Sequence, residues 1–192
     1  MVPLSPPHRL ARPEDAPALA RLVNMAGHGM PLHLWTRIAG TDGDPWEIGA
    51  ERQRAKVADG QVVVADEGSG AVASLTGYIA SHEEIDPDTP ALFVPLIELE
   101  NEVPGSWYVN VLATLPEARG RGLGSGLMKL AERIARSEGC DRMSLITAGD
   151  NTDALRLYRR QGYREIARRD CVRDGWETDQ EDWVLMVRDL SG

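Results

Sequence analysis

The chain has 192 residues, of which 42% are hydrophobic, and it carries a formal net charge of −9. The length predicts a single domain over 1–192, and the acidic total disfavours a nucleic-acid partner, because phosphate backbones favour basic surfaces. No apolar run approaches the roughly 18 to 20 residues that span a membrane, and the N-terminus has no apolar signal region, so we expect a cytoplasmic protein with no membrane partner.

The first half of the chain predicts a short strand, three helices and a hairpin. Apolar residues at helical spacing define the first helix, and Gly and Pro separate the next two. The predicted elements are a strand over 7–11, helices over 12–26, 32–39 and 46–57, and hairpin strands over 61–65 and 71–80. The acidic stretch that follows, 82–102, has no pattern that assigns it to a helix or a strand.

The second half alternates strands with helices. The predicted elements are strands over 107–113, 143–147, 163–167 and 183–187, and helices over 123–138 and 153–161. Asn151 is predicted to cap the second of these helices, since Asn is a preferred residue at that position. A strand, a helix and a parallel strand in this order form a βαβ unit, which indicates one mixed α/β domain.

The charges are distributed unevenly along the chain, and the His and Cys residues show no metal-binding pattern. Residues 119–169 contain 12 Lys and Arg against 6 Asp and Glu, a net charge of +6, while the rest of the chain carries −15. One segment therefore favours an anion, and the remainder favours cations. The four histidines show no metal-ligand spacing and the two cysteines form no framework, so we expect no metal and two reduced thiols, Cys140 and Cys171.

Four glycines spaced two apart, from Gly120 to Gly126, follow the strand at 107–113 and open the next helix. Glycine allows a tight loop whose backbone N–H groups approach a ligand closely, and a helix N-terminus suits a phosphate. Arg119 and Arg121 add positive charge. The first inference is a ligand that carries phosphate.

The spacing excludes two common phosphate loops. Ser125 and Leu127 stand where the dinucleotide pattern requires glycine, and Lys129 is not placed as a P-loop requires. The remaining pattern, Arg119-x-x-Gly122-x-Gly124, resembles the pyrophosphate loop of the GNAT superfamily of N-acyltransferases. The downstream run Asn151-x-x-Ala154-x-x-x-Tyr158-x-x-x-Gly162-Tyr163 is similar to the second signature of that superfamily.

The resemblance implies a fold and a co-substrate. The fold is a mixed, mostly antiparallel, twisted sheet of about six or seven strands, flanked by about four helices, with strands four and five splayed apart. The co-substrate is an acyl-CoA, most often acetyl-CoA, held in the gap between those strands. A homodimer is implied by the resemblance alone.

Site residues carried over from the family fall on matching positions of this chain. Backbone groups at Leu112 and Ala113 would bond the pantetheine arm, and Asn151 would bond the pantetheine side or a water. Tyr158 would protonate the departing thiolate, a role that suits a phenol because it is protonated at neutral pH. The pyrophosphate would bind the backbone amides of Arg119, Gly120, Arg121, Gly122, Leu123, Gly124 and Ser125.

The acceptor side is less defined. Some GNAT enzymes place on strand four a glutamate that acts as the general base, but the stretch 107–113 contains no carboxylate. The alternatives are a water chain or one of Glu98, Glu100, Glu102, His82 and Glu83. By resemblance, the segment 28–58 lies beside the acceptor, so Trp35, Trp46, His28 and His33 either shape that pocket or pack in the core.

The sequence thus predicts an enzyme that transfers an acetyl group from acetyl-CoA to a primary amine by direct attack in a ternary complex. The acceptor is a small-molecule amine, a lysine or a protein N-terminus, and the acidic remainder of the chain favours a cationic one. The alternative is a non-catalytic acyl-CoA sensor of the same fold, which the missing strand-four carboxylate favours.

Overall fold

The computed structural model describes residues 2–190, a mixed α/β fold with seven strands and six α-helices within those residues. The strands are β1 (His8–Leu10), β2 (Val63–Asp66), β3 (Ala71–Ile79), β4 (Trp107–Thr114), β5 (Arg142–Ala148), β6 (Arg164–Asp170) and β7 (Asp182–Asp189). The helices are α1 (Ala16–Ala26), α2 (Met30–Ala39), α3 (Pro45–Ala58), α4 (Val94–Glu100), α5 (Leu123–Ser137) and α6 (Thr152–Arg160). The predicted fold class is confirmed, with six helices in place of about four.

The strands form one sheet in the order β1-β2-β3-β4-β5-β7-β6. β4 and β5 are parallel, with Trp107 opposite Met143 and Val109 opposite Leu145, and α5 connects them as the predicted βαβ unit. β1 with β2, β2 with β3, β5 with β7, and β6 with β7 are antiparallel. The splay of β4 and β5 stays a prediction.

The chain divides into two compact units, and the first comprises 2–77 and 111–131. α1 packs on α3, and α2 packs on α3; α1 and α2 bury large apolar side chains, whereas α3 buries the small residues Gly49 and Ala50 together with Gln53. The core cluster of this unit joins α1 to strands β2, β3 and β4 through Leu19, Leu22, Val62, Val64, Ala71 and Ala113. Arg9 on β1 ties the sheet edge together, since its guanidinium bonds Asp15 at 2.7 Å and Asp66 at 2.8 Å.

The second unit comprises 78–110 and 132–190. Its strands β5 and β7 supply fully buried side chains such as Met143, Leu145 and Leu185. β6 lies at the sheet edge and carries charged side chains, a common way for an edge strand to avoid pairing with another chain. The prediction of a single domain over 1–192 stays a prediction.

Two elements differ from the sequence prediction for identifiable reasons. The acidic stretch contains α4, whose Leu99 is fully buried while its glutamates lie on other faces. β6 extends to Asp170 instead of 167, because Arg168 pairs across the strands with Asp182 at 2.6 Å and replaces the apolar pattern that strand recognition relies on.

Candidate active site

The glycine loop, defined here as residues 119–125, lies in the first unit. It follows the short 3-10 turn Pro116–Ala118 and includes the first three residues of α5. Gly120 and Gly122 have φ values of 76° and 80°, which L side chains rarely adopt, and a Cβ at either would meet no neighbouring atom. The loop therefore needs glycine at these two positions for backbone conformation. Gly124 is different, because its φ is ordinary and an added Cβ would lie 3.6 Å from the Thr114 hydroxyl.

The first turn of α5 presents backbone donors. The first N–H groups of an α-helix have no acceptor within the helix, and Leu123, Gly124 and Ser125 occupy these positions. The next amide, at Gly126, bonds the Gly122 carbonyl at 2.9 Å. The arrangement is chemically suited to an anion, since the donors and the positive end of the helix dipole coincide.

The two arginines of the glycine loop have different partners. The Arg119 side chain is exposed and donates to the Thr114 carbonyl at 3.3 Å. Arg121 pairs with Glu67, on the β2–β3 turn, at 2.7 Å and donates to the Glu117 carbonyl at 2.9 Å. Sequence reasoning missed Glu67, which is 54 residues away from its partner.

Of the two predicted pantetheine-binding residues on β4, Leu112 is half-buried and Ala113 is buried in the core cluster of the first unit. Their backbone groups, rather than their side chains, carry the predicted role.

Asn151 and Tyr158 lie on one helix in the second unit. The Asn151 carboxamide oxygen accepts from the Ala154 amide at 3.2 Å, which confirms the predicted N-cap of α6. Tyr158 is buried, and this burial raises the pKa of its phenol to about 12. The hydroxyl therefore keeps its proton throughout the neutral range.

All four tyrosines of the chain lie in the second unit, and we call them the tyrosine row: Tyr78, Tyr108, Tyr158 and Tyr163. Ring centroids are 5.4 Å apart for Tyr78 and Tyr108, and 5.9 Å apart for Tyr158 and Tyr163. The Tyr163 hydroxyl donates to the Met143 sulfur at 3.7 Å. Sequence reasoning missed Tyr78 and Tyr108, because their strands give no sign of what they face.

The candidate bases separate into different environments. Glu98 and Glu102 both accept from Arg169 on β6, each at 2.9 Å. Glu100 instead accepts a hydrogen bond from the Tyr78 hydroxyl at 2.8 Å. His82 and Glu83 are exposed on the segment after β3, where the Glu83 backbone is held by two bonds of 2.8 Å to the Asn101 carboxamide.

The residues proposed to border an acceptor in the first unit show mixed burial. Trp35 is 5% exposed and Trp46 is 39% exposed, with ring centroids 6.1 Å apart in an edge contact. This packing requires glycine at position 49, since a Cβ there would overlap the Trp35 ring. Trp35 is thus a packing residue. His28 has a φ of 52°, and the buried Nε2 of His33 has no hydrogen-bond partner among the described residues.

Between residues 2 and 190, none of the helices combines the length and the apolar character that crossing a bilayer requires. The same part of the chain contains no group of three or more His, Cys, Asp and Glu side chains arranged to hold a metal ion.

Comparison with known proteins gives one family match. The sequence model described as the acetyltransferase (GNAT) family matches residues 32–163. Mycothiol acetyltransferase of Corynebacterium jeikeium is 38% identical over 85 residues, which are 43% of this chain and 24% of that protein. Thialysine N-epsilon-acetyltransferase of Sus scrofa is 29% identical over 85 residues, which are 44% of this chain and 47% of that protein.

The matched segment spans only about a quarter of the length of the mycothiol acetyltransferases. Among solved structures, one described as an acetyltransferase has a TM-score of 0.64 at 18% identity, and the alignment covers 95% of this chain and 98% of that one. At this identity the likeness concerns the fold.

Proposed function

The chain belongs to the acetyltransferase (GNAT) family, whose members use acetyl-CoA, and on that premise we propose that it transfers the acetyl group to a primary amine by direct attack in a ternary complex. Acetyl-CoA supplies an activated thioester when it is bound. The protein binds it, orients it and moves protons.

The donor side of this proposal is supported by the glycine loop. The backbone donors at Leu123, Gly124 and Ser125 and the open space at Gly120 and Gly122 fit a pyrophosphate. Arg119 and Arg121 would add charge, and Arg121 would have to exchange Glu67 for the ligand. Leu112, Ala113 and Asn151 are proposed to bond the pantetheine arm.

Tyr158 is proposed as the proton donor to the departing thiolate. The observation that carries the proposal is the buried position of Tyr158 on α6, the helix that Asn151 caps; burial raises the pKa of the phenol to about 12, so the hydroxyl is protonated at neutral pH. A neutral donor places no negative charge beside a developing thiolate, and a positioned acid typically contributes about 10²-fold or more to rate.

We propose a cationic amine as the acceptor. The chain outside 119–169 has a net charge of −15, and Glu83, Glu84, Asp86 and Asp88 follow β3 on an exposed segment. The thialysine enzyme among the relatives is named for acetylation at a side-chain amine, which fits this class.

Location and assembly are further parts of the proposal. Cys140 and Cys171 are both free thiols, which fits a reducing, cytoplasmic setting. A homodimer is proposed from family resemblance alone, and light scattering in solution measures it directly.

The test measures release of CoA thiol from acetyl-CoA with a panel of amines that includes lysine, polyamines, aminoglycosides and N-terminal peptides. We expect turnover with at least one cationic amine, and an approximately 10²-fold or greater loss of kcat in Tyr158→Phe. Tyr163→Phe is the matched control, since it removes a neighbouring buried hydroxyl whose hydrogen bond goes to the Met143 sulfur, and we expect kcat within a few-fold of wild type.

Three outcomes have different meanings. Tight CoA binding without transfer to any amine would replace the proposal with an acyl-CoA sensor. Undiminished turnover in Tyr158→Phe would remove Tyr158 from the mechanism and leave the transfer reaction standing. Equal losses in Tyr158→Phe and Tyr163→Phe would indicate that both hydroxyls matter for packing rather than chemistry.

A further inference from the structure

The three glutamates at and just after α4 face different partners. Glu98 and Glu102 are four residues apart, so they lie on the same side of the helical turn, and both carboxylates accept hydrogen bonds from Arg169. Glu100 is two residues from each and therefore points about 200° around the helix axis from Glu98. Arg169 holds one side of the helix, and this orientation directs Glu100 to Tyr78.

The surroundings of Glu100 are partly aromatic and partly acidic. Tyr78 on β3 donates to its Oε2 at 2.8 Å, and Tyr108 on β4 packs against the Tyr78 ring. Glu83, held by the Asn101 carboxamide, and the buried Tyr108 phenol are further titratable groups that interact with it. Burial raises the pKa of Glu100, the hydrogen bond from Tyr78 lowers it, and the charge of Glu83 raises it, for a net increase.

Tyr108 lies near both Glu100 and Tyr158. Burial is the main cause that raises the pKa of the Tyr108 phenol, and the charges of Glu100, Tyr78 and Tyr158 raise that pKa further. Tyr78 is 42% exposed, whereas Tyr108 and Tyr158 are 5% and 8% exposed. Glu100 is therefore bonded to the most exposed of the four tyrosines.

We infer that Glu100 is the general base that deprotonates the acceptor ammonium, and that Tyr78 is a positioning residue that holds its carboxylate. The inference rests on the proposed function and supplies the base that β4 lacks. It also assigns distinct structural roles to Glu98 and Glu102, which orient α4 through Arg169.

The protons balance over one turnover. Glu100 takes one proton from the ammonium, and the amine lone pair then forms the C–N bond as the C–S bond breaks. Tyr158 gives its proton to the sulfur and regains one from the new amide nitrogen as that nitrogen loses its second proton. Glu100 returns its proton to water, so one acid equivalent is released for each amide formed.

The experiment measures kcat/KM against pH for wild type, Glu100→Gln and Glu138→Gln with the best amine of the panel. We expect Glu100→Gln to lose about 10²-fold at neutral pH, and the deficit to shrink as pH approaches about 10, where a lysine-type amine loses its proton unaided. Glu138→Gln is the control, since it removes the same charge from an exposed position of the second unit, and we expect kcat/KM within a few-fold of wild type.

Tyr78→Phe tests whether Glu100 acts as a base, because it should shift the pH profile, which a purely structural role of Glu100 would leave unchanged. The Tyr78 hydroxyl stabilises the charged carboxylate, so its loss raises the Glu100 pKa and moves the acidic limb of the pH profile to higher pH, with the plateau rate retained. Infrared titration of the carboxyl band, as the difference between wild type and Glu100→Gln, follows the same group without turnover. We expect protonation above the ordinary range of a glutamate.

The outcomes separate the base from the reaction. A wild-type protein that acetylates no amine overturns the proposed function and with it the base. An active wild type with Glu100→Gln equally active at neutral pH, or with a deficit that does not shrink as pH rises, overturns the base alone and favours a water chain or a structural role. An unmoved acidic limb in Tyr78→Phe removes Tyr78 from its positioning role.

Discussion

The glycine loop and the tyrosine row with Glu100 are built in opposite ways. The loop is a run of seven consecutive residues whose proposed ligand donors are backbone amides, and its exposed arginines are accessory. The row draws side chains from β3, β4 and α6, and α4 supplies the carboxylate. A backbone site depends on φ angles and on the space where a Cβ would lie, whereas a side-chain site depends on the packing of each element. Substitutions should therefore damage the two regions through different observables.

The largest expected effect on stability tests whether the glycine loop is self-contained. Arg9→Met leaves Asp15, 5% exposed, without its cation, and we expect a loss of about 2 to 4 kcal/mol in the free energy of unfolding by denaturant. The Kd for CoA should change by less than about twofold in the folded protein, because Arg9 contacts none of the loop residues through the bonds that define its network. A large change in Kd would show that the loop depends on this sheet edge, to which it is joined through Asp66 and the adjacent Glu67 that pairs with Arg121.

The same network has an acid dependence with a defined sign. Hydrogen bonding to Arg9 lowers the pKa of Asp66 to about 2 and also lowers the pKa of Asp15. Groups depressed in the folded state stabilise it at pH values above the unfolded pKa of about 4, and that contribution disappears as the pH falls towards about 2. The fall in wild-type stability between these values should be shallower in Arg9→Met.

The next effect distinguishes two glycines of the loop. Gly122→Ala forces a side chain into the left-handed region and should cost about 1 to 2 kcal/mol of stability. Gly124→Ala introduces only an ordinary contact with Thr114, so thermal denaturation should give a midpoint within a few degrees of wild type. If the two substitutions cost the same, backbone conformation is not what reserves position 122 for glycine.

The smallest effect concerns the ion pair on the loop. The Arg121 and Glu67 side chains are 55% and 36% exposed, so Glu67→Gln should change stability by no more than about 0.5 kcal/mol. It releases Arg121, and calorimetry should show the Kd for CoA falling by about two- to threefold. Glu117→Gln is the control. It removes a nearby negative charge, but Arg121 bonds the backbone carbonyl of Glu117 and not its carboxylate. An equal fall in the Kd for CoA in Glu117→Gln would assign the effect to net charge.

The two regions also differ in what the sequence could predict. The loop and the Asn151 cap each depend on residues within a few positions of each other, so the local sequence predicted both. The ends of β4 and α5 were also predicted to within a few residues. The contact between Tyr78 and Glu100 joins residues 22 apart across a segment with no strand or helix pattern. Glu98, Glu100 and Glu102 look equivalent in sequence, and only the orientation of α4 toward Arg169 separates them.

The tyrosine row has a practical consequence for spectroscopy. Tryptophans occur in both units, with Trp35 and Trp46 in the first and Trp107, Trp176 and Trp183 in the second, whereas every tyrosine belongs to the second. Ultraviolet absorbance of ionising tyrosine therefore reports on that unit alone, without any engineered label. An alkaline titration of the native chain would show the exposed Tyr78 and the three buried phenols losing their protons well above the pH of free tyrosine, and unfolding of this unit would appear as their return to the ordinary value.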